Sequence, residues 1–430
     1  MNREQSLDSI PIDLIIEIHS RLPAKSVARF RSVSKLWCSM LRNPYFTELF
    51  LTRSWTRPRL LLALKRNSEW TFFSTPQPQN PYEKSSFVIA DFHMKYLPKD
   101  PDSCFYNSLM TLTSGLIYFS SLPINKYDYT EPVICNPRTG QYAILPPKLS
   151  RREPYSFFGF DPISKKFKVL SVATSYYNRY YDRVNILTLE TGKMRWRKIE
   201  CSLAHIPPID TSKWICINGV LYYVAVALRP TGNYDESYVI VCFDVGSEKF
   251  KFIDIECLDG KLINYKGKLG GISWGYKDNI LELSMWILED VEKKKLSKHV
   301  YTSWENGLVD PENHFIVGIT STGEIVLSLK VTSKPFCVFY FNPERNTLQS
   351  VKIQGLENDS QVYAFVDDVE DLNVNDVKEL KSISVFKGGL NILWKRPSRS
   401  RDLSIAALSL KDKQPKTCFL KNKYESLALE

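Results

Sequence analysis

The chain has 430 residues, 43% hydrophobic and 24% charged, with 57 Lys and Arg against 47 Asp and Glu. Those proportions belong to a folded globular protein and exclude a disordered or low-complexity one. The net charge of +10 sits at the ends: residues 1–57 carry +4 and residues 371–430 carry +5. The long middle is left at +1, without the basic excess expected of a nucleic-acid-binding core.

The opening "MNREQSLDSI" has no apolar core of the kind a signal peptide needs, and no run approaches the ~18 apolar residues of a membrane span. A chain of the cytoplasm and/or nucleus is expected. The nine cysteines (38, 104, 135, 201, 216, 242, 257, 337 and 418) form no CxxC pair, and in such a compartment they read as free, mostly buried thiols.

In chain order, helices come first. Pro11 suits a first helical turn, and Leu14, Ile15, Ile18 and Leu22 follow at helical spacing. Pro23 ends that helix or opens the next. A second stripe runs through Val27, Phe30, Val33, Trp37 and Leu41, and Asn43-Pro44 is expected to close the helical region. Three helices in under 50 residues make a core that is marginal unless it packs on something else. The stretch from Ser20 to Arg42 carries six Lys or Arg and no acid, which raises nucleic-acid and membrane readings. Its stripe is apolar and Pro23 interrupts it, so docking on another protein fits better.

From Arg59 the texture becomes β: "RLLLALK", "EWTFFST", "GLIYFSS", "FKVLSVA", "VLYYVAVAL", "YVIVCFDV", "EIVLSLKV" and "PFCVFYFNP" are short runs between turn residues. Two signatures recur. One is a Gly turn before a strand, at Gly115, Gly219, Gly267 and Gly323. The other is a strand followed by a polar turn, at Asn136, Asp161, Glu190, Asp244 and Asn342, with a weaker copy at Glu289. Their larger steps, 45 to 54 residues, and the two short steps of 25 and 29 together approximate one repeat of about 50. That period, in short antiparallel strands, predicts a kelch-like β-propeller of about six blades. The repeated Asn, Asp and Gly are expected to serve hairpin turns and not a site. After "VYAFVDDVEDLN" the repeat fades into an irregular basic tail, where Lys395, Arg396, Arg399 and Arg401 form a cluster compatible with nuclear import.

No catalytic constellation is visible. His19, His93, His205, His299 and His314 are dispersed, without metal-ligand spacing, and no phosphate loop, dinucleotide fingerprint or nucleophile elbow occurs. Neither enzyme activity nor a cofactor or metal is expected.

The segment "SIPIDLIIEIHSRLPAKSVARFRSVSKLWCSML" resembles an F-box. The carriers are Ile10-Pro11, the apolar Leu14, Ile15 and Ile18, Leu22-Pro23, Lys25-Ser26-Val27, and Arg31-x-Val33-Ser34-Lys35-x-Trp37. Ile10 stands where the family usually has Leu. "YSFFGFDPISKKFKVLS", "ICINGVLYYVA", "VCFDVGSEKFKFI" and "LINYKGKLGGI" resemble the F-box-associated domain of plant F-box proteins. The resemblance implies an α+β multidomain chain: a three-helix F-box over 6–52, a propeller over 58–370 and an unassigned tail over 371–430. It implies a substrate receptor of a cullin–RING (SCF) ubiquitin ligase, whose F-box binds a Skp-family adaptor while the propeller captures a protein for ubiquitylation. Ile10, Pro11, Leu14, Ile15, Ile18, Leu22, Pro23, Ser26 and Val27 would meet the adaptor, and Phe30, Val33, Trp37 and Leu41 would form the F-box core. The alternative is a free-standing propeller that binds a glycan or small molecule, with the helices only a cap.

Overall fold

The computed structural model describes residues 11–372 and 391–393, except residue 68 and segments 79–85, 98–109, 124–129, 148–154, 174–182, 190–193, 208–209, 211–212, 229–236, 256–259, 279, 291–294 and 303–308. Four helices open it: α1 (Ile12–His19), α2 (Ala24–Phe30), α3 (Lys35–Leu41) and α4 (Pro44–Trp55). Pro11 and Pro23 each stand at the N-cap of a helix with an extended ψ, so each proline starts a helix whose first N–H groups need no partner from it. Ser34 caps α3, its Oγ accepting from Trp37 N at 3.2 Å.

The fourth helix departs from the sequence expectation. Asn43-Pro44, read as a stop, is a start: Asn43 Oδ1 accepts from Tyr45 N at 2.9 Å and Pro44 occupies the first turn. Proline ends the helix before it and preorganises the one after it, and here both effects act three residues apart.

The helices enclose a small core of Ala24, Val27, Leu41, Phe46 and Phe50, none more than 2% exposed, with Leu372 added from the other end of the fold. His19 is buried beneath it, its ring edge-on to Phe30 and Trp37 with centroids 4.6 and 4.8 Å away and its Nδ1 2.7 Å from the Ile15 carbonyl.

Six sheets follow, antiparallel but for one added strand in the sixth, forming a six-bladed propeller. The first blade contains β1 (Arg59–Arg66), β2 (Glu69–Pro76) and β4 (Asp91–Leu97). Its inner strand, β26 (Gln361–Asp368), comes from the far end of the chain and pairs with β1 in a register that sets Arg59 opposite Asp368. This pairing closes the ring and removes two sheet edges at once. The second blade is β5 (Met110–Thr113), β6 (Leu116–Pro123), β7 (Thr130–Cys135) and β8 (Tyr142–Ile144). The third is β9 (Tyr155–Asp161), β10 (Lys166–Ala173), β11 (Arg183–Thr188) and β12 (Arg197–Ile199). In the fourth, β14 (Trp214–Ile217), β15 (Val220–Ala227), β16 (Ser237–Asp244) and β17 (Phe250–Ile255) are joined by the short β13 (His205–Ile206). The fifth is β18 (Lys261–Tyr265), β19 (Lys268–Lys277), β20 (Ile280–Asp290) and β21 (Lys295–Thr302). The sixth, β22 (His314–Ile319), β23 (Ile325–Leu329), β24 (Phe336–Asn342) and β25 (Thr347–Gln354), takes β3 (Ser86–Ile89) as a parallel outer strand.

The sequence tail, expected to be irregular, contributes one element: β27 (Asn391–Leu393) pairs with β4 at the outer edge of the first blade. The basic cluster at 395–401 lies outside the described residues.

The recurring turn residues do what their chemistry suits. Ser114-Gly115, Asn218-Gly219 and Lys266-Gly267 all have positive φ at both positions, the hairpin geometry that matches strand twist. A β-carbon on Gly219 would also stand 2.9 Å from Pro162 Cδ, so only glycine fits there. Asn136, Asp161, Asp244 and Asn342 each accept backbone N–H groups two or three residues on, at 2.6–3.3 Å. They hold turns. Glu190 lies outside the described residues.

Candidate functional site

Two features of the described residues are not explained by folding alone. The first is the outer side of the helical unit. Ile12, Leu14, Ile18, Val33, Leu36 and Tyr45 are each more than half exposed, although the same helices bury a dense core on their inner side. Leu14 and Ile18, 52% and 53% exposed, stand one turn apart on α1 and so share a face. A single exposed leucine is unremarkable, but six large apolar side chains left exposed on so small a unit are more than its own folding accounts for.

The residues expected to meet a partner are distributed as follows. Ile10 lies outside the described residues; Pro11, Leu14, Ile18 and Pro23 are exposed; Ile15, Leu22 and Ser26 are half-buried. Val27, placed on the docking face by the F-box resemblance, is fully buried in the helical core. Val33, placed in that core, is 66% exposed. Val33 is exposed because α2 ends at Phe30: it falls in the turn before Ser34 and not on the helical stripe. Phe30 and Trp37 pack against the core with rings stacked 5.6 Å apart, and Leu41 is inside it.

Where the helical unit meets the propeller, a backbone hydrogen bond sits over an ionic seam on the propeller's rim. Ala24 N donates to Glu370 Oε2 at 3.0 Å, just beyond the end of β26. Arg138, in the hairpin after β7, pairs with Asp368 and lies 3.7 Å from Glu370. Arg59 pairs with Asp91 and donates to Ser74 Oγ, which also contacts His93 Nε2 at 2.8 Å. Burial raises the pKa of Asp368, against the pull of Arg138. Burial pushes the His93 imidazole down to about 3, and Arg138, Arg59 and Lys25 push the same way. A second brace lies on the helices themselves, where Arg53 pairs with Glu17 and donates to Ser20 Oγ at 2.6 Å.

The second feature is the central channel, a cavity of about 1780 Å³. The inner strands run toward the helical unit, and the hairpins at their ends form a ring. Gly219 packs on Pro162, Asn218 reaches Gly267 O at 3.5 Å, and Ser321 N donates to Asp367 at 2.6 Å. Leu51 and Trp55 of α4 line the same cavity from that end, so the helical unit stands at one mouth. The other mouth is framed by the strand starts, among them Lys261, Trp214 and His314. Among the described residues no group of three His, Cys, Asp or Glu side chains is placed to hold a metal ion.

Comparison with known families fits both halves. Residues 59–375 match the F-box associated beta propeller domain, and residues 7–49 match the F-box domain. This is a plant F-box protein of the F-box-associated propeller family. Two Arabidopsis thaliana proteins illustrate the likeness. F-box protein At3g57590 is 49% identical over 397 residues, 87% of this chain and 94% of its own length. F-box protein At2g15640 is 48% identical over 418 residues, 87% and 96% of the two chains.

Within this F-box protein, sequence reasoning missed Ile12, Leu36 and Tyr45 on the exposed face, and the whole channel wall. Ile12 and Leu36 fall outside the i, i+3, i+4 stripes used to read the helices, and Tyr45 sits on a helix that was not expected. The signal for Tyr45 was the Asn-Pro pair itself, which marks an N-terminus as readily as a stop.

Proposed function

We propose that this F-box protein is the target-recognition subunit of an SCF-type cullin–RING ubiquitin ligase, acting in the cytoplasm or nucleus. Its F-box docks a Skp-family adaptor through the exposed side of α1 and the start of α2, and the propeller holds a protein to be ubiquitylated. The subunit performs no chemistry of its own. It raises the effective concentration of target lysines near a charged conjugating enzyme.

The observation that carries this reading is the two-sidedness of the F-box. Val27, Leu41, Phe46 and Phe50 satisfy the core while Leu14 and Ile18 stay half exposed. A helix presenting apolar residues at i and i+4 suits a hydrophobic groove. The ionic seam supports the same role, because a receptor must hold its target at a defined distance from the adaptor.

Reconstitution tests this. The full chain is expected to co-elute with a purified Skp-family adaptor. Leu14→Asp with Ile18→Asp is expected to weaken that complex about 100-fold or more while leaving the melting temperature nearly unchanged, as both sites are exposed. A double variant that binds the adaptor as wild type does would remove α1 from the interface.

A further inference from the structure

The channel contains a cation that the fold leaves incompletely served. Lys261 opens β18 at the mouth away from the F-box, and its Nζ makes one long hydrogen bond, 3.3 Å to the Ile316 carbonyl on the neighbouring blade. Among the described residues no carboxylate lies within ion-pair distance of it. An ammonium has three donors, so two are left for something else. The residue keeps some accessible surface, yet its head group is enclosed deeply enough that burial holds its pKa down to about 8, with Asp210 opposing the shift. Those facts are compatible because Lys261 lines the cavity: what reaches it comes through the channel.

The surroundings limit what that visitor is. Trp214, Trp274 and Tyr363 also line the channel, giving apolar and aromatic wall on which a chain can lie. The cavity is larger than the roughly 300–1,000 Å³ of ordinary small-molecule pockets, and so has room for a peptide segment. One mouth already has Leu51 and Trp55 at it, leaving the other for entry. The charge is mixed: Lys213, Lys277 and Lys330 line the same channel as Lys261, against Asp210 and Glu282. Lys277 is exposed and Lys330 already donates to the Pro311 and Glu312 carbonyls, whereas Lys261 is an enclosed cation with donors to spare. A single carboxylate matches it, while a dianionic phosphate would also meet Asp210 and Glu282.

Resting on the receptor reading above, we propose that the target is caught at the channel mouth opposite the F-box by an acidic peptide segment, one of whose Asp or Glu carboxylates is held by Lys261. The F-box mouth and its ionic seam take no part in this contact.

Fluorescence anisotropy on the full chain tests it, with a labelled octapeptide alternating Gly and Glu as probe and its Gln and phosphoserine counterparts as comparisons. The Glu peptide is expected to bind; Lys261→Met is expected to weaken it more than about tenfold, and Lys261→Arg less than about threefold. Lys266→Met, at the other mouth, is expected to change nothing. Equal binding by Lys261→Met, equal binding of the Gln peptide, or binding of the phosphoserine peptide alone would each overturn the assignment. Should Lys261→Met fail to fold, carbodiimide coupling on the wild-type chain decides. An amide between a peptide carboxylate and Lys261 Nζ supports the proposal, and coupling only at other lysines refutes it. Adaptor co-elution, measured on the same samples, separates the two readings: if the adaptor binds and the Glu peptide does not, the channel proposal falls and the receptor reading stands.

Discussion

At the scale of residues, helical spacing located the apolar positions of the F-box but not which way each one faces. Val27 and Val33 are six residues apart on a stripe that looks continuous, and the turn between Arg31 and Ser34 breaks it. Burial chemistry was equally hidden: His93 reads as an isolated histidine in sequence and is the buried neighbour of three cations in the fold. Its folded pKa of about 3 lies below the ordinary value of 6.5. Between those values the unfolded chain binds a proton that the folded chain refuses, so stability is intact above pH ~6.5 and falls as pH drops toward 3. The stability lost between pH 7 and 5.5 is expected to be about 1 kcal/mol smaller in His93→Gln than in wild type, by urea unfolding at the two pH values. Equal losses would mean that His93 titrates normally.

At the scale of elements, the sequence displayed a particular subset of the propeller. The apolar runs legible as β fall on β1, β2, β6, β10, β15, β16, β23 and β24, each a middle strand of its blade. Middle strands are covered on both faces by neighbouring blades and so become nearly continuous apolar runs. The inner strands carry mixed side chains because one part of each faces the channel, and outer strands such as β21 are almost wholly exposed. Exposed outer strands such as β21 and short inner strands such as β5 and β14 do not stand out. The channel was therefore invisible for the same reason that the blades were visible. The uneven steps of 25 and 29 residues have a similar origin. Asn136 and Asp244 sit in hairpins between third and fourth strands, whereas Asp161 sits between the first and second strands of its blade. The two Asx turns look alike in sequence because the local chemistry is the same. The fourth helix makes its own prediction: Asn43→Ala removes the α4 cap and is expected to cost about 1 kcal/mol in thermal unfolding of the full chain. No measurable change would show that Pro44 and packing of Phe46 and Phe50 set the helix start by themselves.

At the scale of the molecule, sequence order and spatial order disagree in several places. The last strand of the propeller, β26, is an inner strand of the first blade, and Leu372, a few residues beyond it, completes the core of the F-box at the other end of the chain. The F-box is thus tied to the propeller through both the α4–β1 connection and the ring-closing strand, with Glu370 and Arg138 in the seam. Few contacts of this kind are legible in a sequence, since they join residues as much as 346 positions apart. They give the receptor reading its geometry: adaptor face and channel mouth are held on one body. The direct measurement is recovery of the tagged full-length chain from a plant extract. The account predicts that a Skp-family adaptor and a cullin come with the wild-type chain and with Lys261→Met, and that neither comes with the Leu14→Asp, Ile18→Asp chain. Recovery of the folded wild-type chain with no adaptor and no cullin would contradict it.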